Sequence, residues 1–325
     1  MALGLALTER AVRAWVALAV PTMFMLDDEL GWVHRPGVRH VQESEGVRAL
    51  VEINALGLRG PVHDGRTSAP RVLVLGDSFA EGALVTNDEL FSVIWEREHP
   101  QLEIVNSGVT GYGTVQEAIV LEHLARRVRP DVVVLIVSAN DPRDNVTPFV
   151  PSLGPRPYAD NAGEFHALRW RPYLPFLPRL PGSVWLFRNS IAFQLWQTRR
   201  SARLIHTQLL YAYRDHWWLG VPDAVKWKVL ERWVATIARN RRLVLVSCPT
   251  REAVIAGRTT FSDHLADIAR GVGVAFVDLQ PVLRGEHFLA IHWSAAGHQA
   301  VAHALAAQVG VPLEPDAVAW SGVHR

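Results

Sequence analysis

Two residues in this sequence have the type and the position needed for nucleophilic chemistry. Ser78 follows the apolar run RVLVL through a Gly-Asp dipeptide, where the glycine allows a tight turn that exposes the serine near a helix N-terminus. Such a serine is a candidate nucleophile, because the helix end favours a developing anion. His292 lies two residues before Ser294, which caps the predicted last helix, so its imidazole is placed on a loop.

Hydrogen-bond donors follow two other apolar runs. The glycine-rich stretch NSGVTGYG, residues 106–113, allows the backbone to approach a ligand closely and to direct an N–H group at it. Asn140 follows a third run and brings a side-chain amide to the same edge. Each feature alone is weak evidence, because loop glycines make turns, Asn caps helices and a lone His is usually packed. Their combination predicts a site.

Five short apolar runs precede or separate these residues and predict strands buried on both faces. They are RVLVL (71–75), LEIV (102–105), DVVVLIV (131–137), RLVLVS (242–247) and VAFVDL (274–279). Helical patterns lie between the runs, with capping boxes at Thr86 to Glu89 and Thr114 to Glu117 and a last helix from Ser294. Strands that alternate with helices predict an α/β fold with a mainly parallel sheet and a crevice at the carboxyl ends of its strands.

The alternation stops between about residues 150 and 235. This stretch is Pro-rich at first and carries seven of the 12 Trp residues, at positions 170, 185, 196, 217, 218, 227 and 233. We interpret it as a helical insertion over the carboxyl edge of the sheet, whose Trp residues either form a small core of their own or line a substrate groove. The length of 325 residues favours one large domain with an insertion, and we expect residues 1–70 to form a leader segment packed on a domain of residues 71–325.

Charge, cysteine content and hydrophobicity limit the kinds of binding site and cross-link that the chain can form. Lys plus Arg number 33 and Asp plus Glu 32, and the resulting net charge of +1 gives no electrostatic footprint for nucleic acid. The single cysteine, Cys248, excludes an internal disulfide and a multi-thiolate metal site, and we expect it to be buried. The uncharged run of residues 14–26 is too short to span a bilayer and predicts a packed or interfacial helix, with membrane contact possible there.

A serine, two oxyanion donors and a histidine at four strand ends, in this chain order, resemble the motif blocks of the SGNH or GDSL-type hydrolase superfamily. The resemblance is carried by GDSFAEG, NSGVTGYGT, SANDPRDN and HWSAAGH, and it covers residues 71–149 and 242–308. It implies a three-layer α/β/α sandwich with a flavodoxin-like sheet of about five strands. It also implies a site that needs no metal and no organic cofactor.

The resemblance implies a role for each matching residue. Ser78 is the expected nucleophile and His292 the general base and then the general acid. The expected oxyanion hole consists of the Gly108 N–H, the Asn140 side chain and the Ser78 N–H. The implied activity is hydrolysis of an ester, which includes small-molecule and glycan esters as candidate substrates.

The leader adds an expectation about the substrate. DELGWVHRPG (28–37) and INALGLRG (53–60) resemble the segment before the GDS block in a bacterial branch associated with cell-envelope polysaccharides. This implies an O-acetyl group on a carbohydrate as the ester. It favours the cell envelope, periplasm or a membrane-associated location over the cytoplasm.

One family residue is missing. The family places an Asp two or three residues before the histidine, where this chain has Leu289 and Ala290. Loss of a triad carboxylate costs about 10⁴-fold in turnover in serine proteases. Three alternatives follow: Glu286 reaches the ring, a backbone carbonyl orients it in a Ser–His dyad, or the site is a catalytically impaired glycan-binding module. A further alternative is an O-acyltransferase that uses the same site with a sugar acceptor.

Overall fold

Strands and helices alternate along most of the described chain. The computed structural model describes residues 23–63, 68–150, 153–169, 181–183, 185–186, 190, 192–193 and 220–309. The strands are β1 Phe24–Asp27, β2 Gly31–His34, β3 Arg39–Ser44, β4 Val47–Glu52, β5 Arg71–Leu75, β6 Glu103–Asn106, β7 Val132–Ser138, β8 Phe149–Val150, β9 Gly154–Pro155, β10 Tyr158–Ala159, β11 Phe165–His166, β12 Leu243–Cys248 and β13 Ala275–Asp278. The helices are α1 Ser78–Glu81, α2 Phe91–Glu98, α3 Thr114–Val128, α4 Asp141–Asp144, α5 Asp223–Ala238, α6 Arg251–Ile255, α7 Thr260–Val272 and α8 Ala295–Gln308, with 3₁₀ turns at Asn87–Glu89 and Gly285–His287.

Five strands form one parallel sheet, in the order β13-β12-β7-β5-β6. The five predicted apolar runs match these strands to within one residue at each end, and the predicted α/β fold with a mainly parallel five-stranded sheet is confirmed. The chain leaves β5 in one direction to β6 and then crosses back to β7. This reversal of direction opens a crevice at the carboxyl ends of β5 and β7.

Alternation along the central strands divides the core between the two faces of the sheet. Val72 and Val74 point to one face, where α2 and α8 cover them. Leu73 and Leu75 point to the other, under α3, α5 and α7. Successive side chains of a strand point to opposite faces, so a strand covered on both sides must be apolar throughout. The result is three layers of helix, sheet and helix.

The leader forms two hairpins, β1 with β2 and β3 with β4. Trp32 of β2 is 1% exposed and packs in the core on the α3 side of the sheet. The end of the apolar run 14–26 is strand β1 rather than the predicted helix, because Phe24 to Asp27 pair with β2; residues 14–22 lie outside the described residues. In the part of the chain that the structure describes, no helix is long and apolar enough to cross a membrane.

One other expectation, the start of a helix, needs correction. Helix α3 is capped by Gly113 and not by a Thr114–Glu117 capping box, and both of those side chains are buried instead. The predicted insertion of residues 150–235 overlaps α5, a helix whose residue Leu230 packs on the sheet. Trp227 and Trp233 belong to α5 and lie against the same core, while Trp185 is 63% exposed. The remaining Trp residues of that stretch lie outside the described residues.

Arg59 joins the leader to the segment that follows α1. Its guanidinium is buried and donates to the carbonyl oxygens of Glu81 (3.0 Å), Gly82 (2.7 Å) and Val85 (3.1 Å) and to Asn87 Oδ1 (2.7 Å). Burial lowers the pKa of Arg59 to about 10, an effect that nearby carboxylates partly oppose. A guanidinium with four oxygen acceptors therefore holds the leader against the segment that follows α1.

We expect Arg59→Met to lower the free energy of unfolding by about 3–5 kcal/mol, because it leaves several buried oxygen acceptors without their charged donor. Chemical denaturation measures the change. The matched control is Arg39→Met, whose ion pair with Glu52 is largely exposed and is expected to contribute less than about 1 kcal/mol. Equal losses in the two variants would contradict a structural role for the buried guanidinium.

Candidate active site

Ser78 lies at the carboxyl end of β5, where the chain turns sharply into α1. Gly76 has φ +157°, and a Cβ at this position would lie 2.6 Å from the Cβ of Ala80, so only glycine fits. Asp77 caps α1, and its Oδ1 accepts from the Phe79 N–H at 3.0 Å. Asp77 and Phe79 are buried while Ser78 is only partly buried, so the turn presents the hydroxyl at the crevice.

His292 meets Ser78 across 214 residues of sequence. Its Nε2 lies 2.8 Å from Ser78 Oγ, within hydrogen-bond distance. The ring is held by a tight turn in which the Leu289 N–H donates to the His292 carbonyl at 2.8 Å. It also packs against the Phe79 ring, with centroids 5.1 Å apart. The hydroxyl and the imidazole are therefore placed for proton transfer.

The other ring nitrogen of His292 faces a carboxylate that the sequence analysis missed. Glu45 Oε1 lies 2.5 Å from Nδ1, and Glu45 Oε2 accepts from the N–H groups of Ile291 (2.7 Å) and His292 (3.2 Å). Glu45 is in the turn between β3 and β4. The partner of Nδ1 is thus neither Glu286 nor a backbone carbonyl. The Glu-Gly dipeptide between two alternating segments signals a hairpin, but nothing local indicates that its tip reaches His292.

Gly108 packs directly against the turn that carries Ser78. A Cβ at Gly108 would lie 2.4 Å from the backbone nitrogen of Glu81, so the close approach requires glycine. The Gly108 N–H donates to Asn106 Oδ1 at 2.9 Å, and the Asn106 amide in turn donates to the Ala80 carbonyl at 2.7 Å. Gly108 is therefore beside the nucleophile turn, with its N–H engaged inside the loop.

Asn140 follows the end of β7, and two carboxylates hold its amide. The Nδ2 group donates to Asp77 Oδ2 and to Asp144 Oδ2, both at 3.0 Å. Ser138 Oγ donates to the same Asp77 oxygen at 2.6 Å. Burial raises the pKa of Asp77, although hydrogen bonds from Ser138, Phe79 and Asn140 oppose the rise. Asp77 thus links the ends of β5 and β7 directly beneath Ser78.

Glu81, one helical turn after Ser78, ties the glycine-rich loop to the leader. Its Oε2 accepts from the Thr110 N–H at 2.6 Å and from the Thr110 hydroxyl, and its Oε1 lies 2.8 Å from His34 Nε2. His34 Nδ1 faces the Gly57 carbonyl at 3.3 Å. Both ring nitrogens of His34 therefore face oxygen atoms, Glu81 Oε1 on one side and the Gly57 carbonyl on the other. Trp32 Nε1 donates to the Thr110 carbonyl at 2.9 Å, which is a second contact between the leader and the glycine-rich loop.

Two further buried acidic side chains, Glu117 and Asp141, interact electrostatically with Asp77. Burial raises the pKa of Glu117 and of Asp141 well above the usual range, and the negative charge of Asp77 adds to both effects. Raised pKa values favour neutral carboxyl groups there, which limits charge repulsion beneath the site. Within the described residues, no group of three or more His, Cys, Asp or Glu side chains is arranged to hold a metal ion.

The structure therefore brings Ser78, His292, Gly108 and Asn140 to one edge of the sheet, as the sequence predicted. Ser78 and His292 are in direct contact. Gly108 touches the backbone of α1, and Asn140 is joined to the residue before Ser78. The carboxylate partner comes from a part of the chain that the sequence did not connect to the site.

Comparisons with solved structures give distant likenesses. A carbohydrate acetylesterase family member from Sinorhizobium meliloti is 15% identical, with 74% of this chain and 97% of that chain covered and a TM-score of 0.40. A catalytic mutant of an acetylxylan esterase from Geobacillus stearothermophilus is 14% identical, with coverage of 77% and 99% and a TM-score of 0.41. An inhibitor-bound aryl esterase from M. smegmatis is 16% identical, with coverage of 74% and 98% and a TM-score of 0.39.

A family model gives the decisive match. No curated protein matches the chain. The model of the GDSL-like lipase/acylhydrolase family matches residues 74–300, which is more than half of the sequence and contains Ser78, Gly108, Asn140 and His292. The match confirms the resemblance drawn from the motifs: the chain belongs to the GDSL-like lipase/acylhydrolase family and is an ester hydrolase.

Proposed function

We propose that the protein cleaves esters through an acyl-Ser78 intermediate, with His292 moving the proton. The observation that carries this proposal is the 2.8 Å contact between Ser78 Oγ and His292 Nε2 at the open edge of the sheet. A hydroxyl becomes a useful nucleophile when a base accepts its proton during attack. This contact supports catalysis over the alternative of an impaired glycan-binding module.

In the first half-reaction, His292 Nε2 takes the hydroxyl proton while Ser78 Oγ attacks the ester carbonyl carbon. The tetrahedral intermediate collapses, and the protonated His292 gives its proton to the leaving alcohol. In the second half-reaction His292 takes a proton from water, the hydroxide attacks the acyl carbon, and Ser78 Oγ leaves with the proton. The products are an alcohol and a carboxylic acid.

The developing oxyanion needs donors near Ser78, and the proposal assigns this role to Gly108, Asn140 and the Ser78 N–H. The Ser78 N–H is at the first position of α1, where backbone N–H groups lack intrahelical acceptors. Asn140 Nδ2 already donates to two carboxylates, which orient the amide before substrate arrives. Gly108 and Asn140 then exchange an existing acceptor for the oxyanion, which carries more charge in the transition state than in the ground state.

We propose an O-acetyl group on a carbohydrate as the natural ester, in an envelope or membrane-associated setting. The support is the leader, whose two motifs resemble those of enzymes associated with cell-envelope polysaccharides. The test compares acetate released from acetylated polysaccharide with acetyl groups transferred to an added sugar acceptor. Release in excess over transfer supports hydrolysis, whereas transfer in excess indicates the O-acyltransferase alternative.

We expect Ser78→Ala to lower hydrolysis of a small aryl acetate by about 10⁴-fold or more, because the nucleophile is gone. Mass spectrometry should find an acetylated Ser78 peptide in the parent after brief exposure to the ester. The matched control is Ser68→Ala, an exposed serine before β5, which should keep parental activity. A Ser78→Ala variant with more than a tenth of the parental rate would refute the acyl-Ser78 mechanism.

We expect Asn140→Ala to lower kcat by about 10²–10³-fold with little change in KM, because an oxyanion donor acts mainly in the transition state. Steady-state kinetics on the same ester measure both constants. Asn161→Ala, at an exposed loop position, is the control and should leave both unchanged. A loss confined to KM would contradict the assignment and indicate a role in substrate binding.

A further inference from the structure

We infer that Glu45, supplied by the leader hairpin β3–β4, is the carboxylate that positions His292, and that it completes a Ser78–His292–Glu45 triad. The inference rests on the proposed acyl-Ser78 function and adds a residue outside the family match, which begins at residue 74. The usual acid positions before the histidine hold Leu289 and Ala290, which have no side-chain acceptor. Glu45 therefore takes over a role that the family normally places beside His292.

The geometry is that of a positioning carboxylate. Glu45 Oε1 lies 2.5 Å from His292 Nδ1, which keeps the proton on Nδ1 and leaves Nε2 to accept from Ser78. The second oxygen accepts from the N–H groups of Ile291 and His292, so it also holds the backbone of the turn that carries the ring. One carboxylate thus determines both the tautomer and the orientation of the imidazole.

The charge of Glu45 suits the task. Burial raises the pKa of this carboxyl, but the hydrogen bonds from Ile291 and His292 outweigh that effect and leave the pKa below its usual range. Glu45 is therefore ionised at neutral pH. Its side chain is only 9% exposed, so solvent weakly screens its attraction for the imidazolium that forms during catalysis.

The backbone at Glu45 is unusual for glutamate. Ser44 pairs with Val47, which leaves Glu45 and Gly46 as a two-residue hairpin loop with φ of +52° and +79°. Both values are those of a type I′ turn, which favours Asn, Asp or Gly at the first position. A glutamate there adopts a left-handed conformation that is unfavourable for its side chain. The contact with His292 accounts for a glutamate at this position of the turn.

The hairpin is fixed on the core, so its tip has a defined reach. Asn87 Nδ2 donates to the Glu52 carbonyl at 3.0 Å, and Ala49 and Val51 of β4 are buried. Glu286 is the carboxylate closest in sequence to His292, but it lies in the 3₁₀ turn Gly285–His287. Its backbone carbonyl accepts from Ser294 Oγ at 3.3 Å, while the carboxylate at His292 Nδ1 is that of Glu45.

The test is Glu45→Gln beside Glu286→Gln, the same chemical change on two carboxylates. We expect Glu45→Gln to lower kcat for an aryl acetate by about 10³–10⁴-fold with KM within a few fold, because the amide keeps the shape but loses the charge. Glu286→Gln should stay within threefold of the parent. If Ser78→Ala is inactive while Glu45→Gln retains parental kcat, the triad assignment is wrong and the acyl-Ser78 mechanism stands. If Ser78→Ala is active, the mechanism itself fails.

A second variant separates positioning from folding. Asn is favoured at the first position of a type I′ turn and is too short to reach the ring, so Glu45→Asn should unfold at a temperature equal to or above that of the parent and still lose activity about 10³-fold or more. A variant that keeps its melting temperature and its activity would overturn the inference.

The pH dependence gives a readout that a structural role would not change. In the parent, kcat/KM falls on the acid side as the general base takes a proton, and removal of the neighbouring anion in Glu45→Gln should move this fall to lower pH. Among the described residues, Asp77 acts on His292 by charge and His298 lies nearby, and both are kept in the variants. Burial lowers the pKa of His298 to about 3, so it stays neutral over the profile. An acid limb at the parental pH would count against the inference.

Discussion

The burial of one carboxylate holds the catalytic end of this molecule together. Glu81 is fully buried, and carboxyl oxygens without water need hydrogen-bond partners within the protein. Glu81 lies one helical turn after Ser78, and its partners are Thr110 in the glycine-rich loop and His34 in the leader. The nucleophile turn, the loop with Gly108 and the leader therefore assemble as one unit, since the absence of any one of them would leave a buried polar group without its hydrogen-bond partner.

A second buried carboxylate acts on the other side of the nucleophile. Asp77 precedes Ser78 and binds Ser138 and Asn140 at the end of the neighbouring strand. Ser78 is thus the partly exposed residue of a turn in which both acids, Asp77 and Glu81, are held by hydrogen bonds. This limits the positions of the hydroxyl and of the Asn140 amide. Such preorganisation is what electrostatic stabilisation of a transition state requires, because the dipoles need not reorient during the reaction.

Much of this arrangement could be predicted from the sequence, for a physical reason. Parallel strands covered on both faces give continuous apolar runs, and their carboxyl ends meet at one edge, so the order of the runs alone places Ser78, Asn140 and His292 together. Glu45 could not be placed in this way, because its contact spans 247 residues and depends on how the leader packs. The helix predicted up to Leu26 is wrong at its end for a related reason: pairing with β2, and not local periodicity, makes the last residues a strand.

The two-residue turn at Glu45 places an unusual demand on the length of the leader. Surface hairpins normally accept added or deleted residues, because their tips touch only solvent. Here one extra residue in β3 or β4 would shift the pairing by one position and send the side chains beyond it to the opposite face of the ribbon. The carboxylate would then point away from His292 although no residue of the site had changed. The spacing between Arg39 and Glu52 is therefore as much a part of the chemistry as the identity of Ser78.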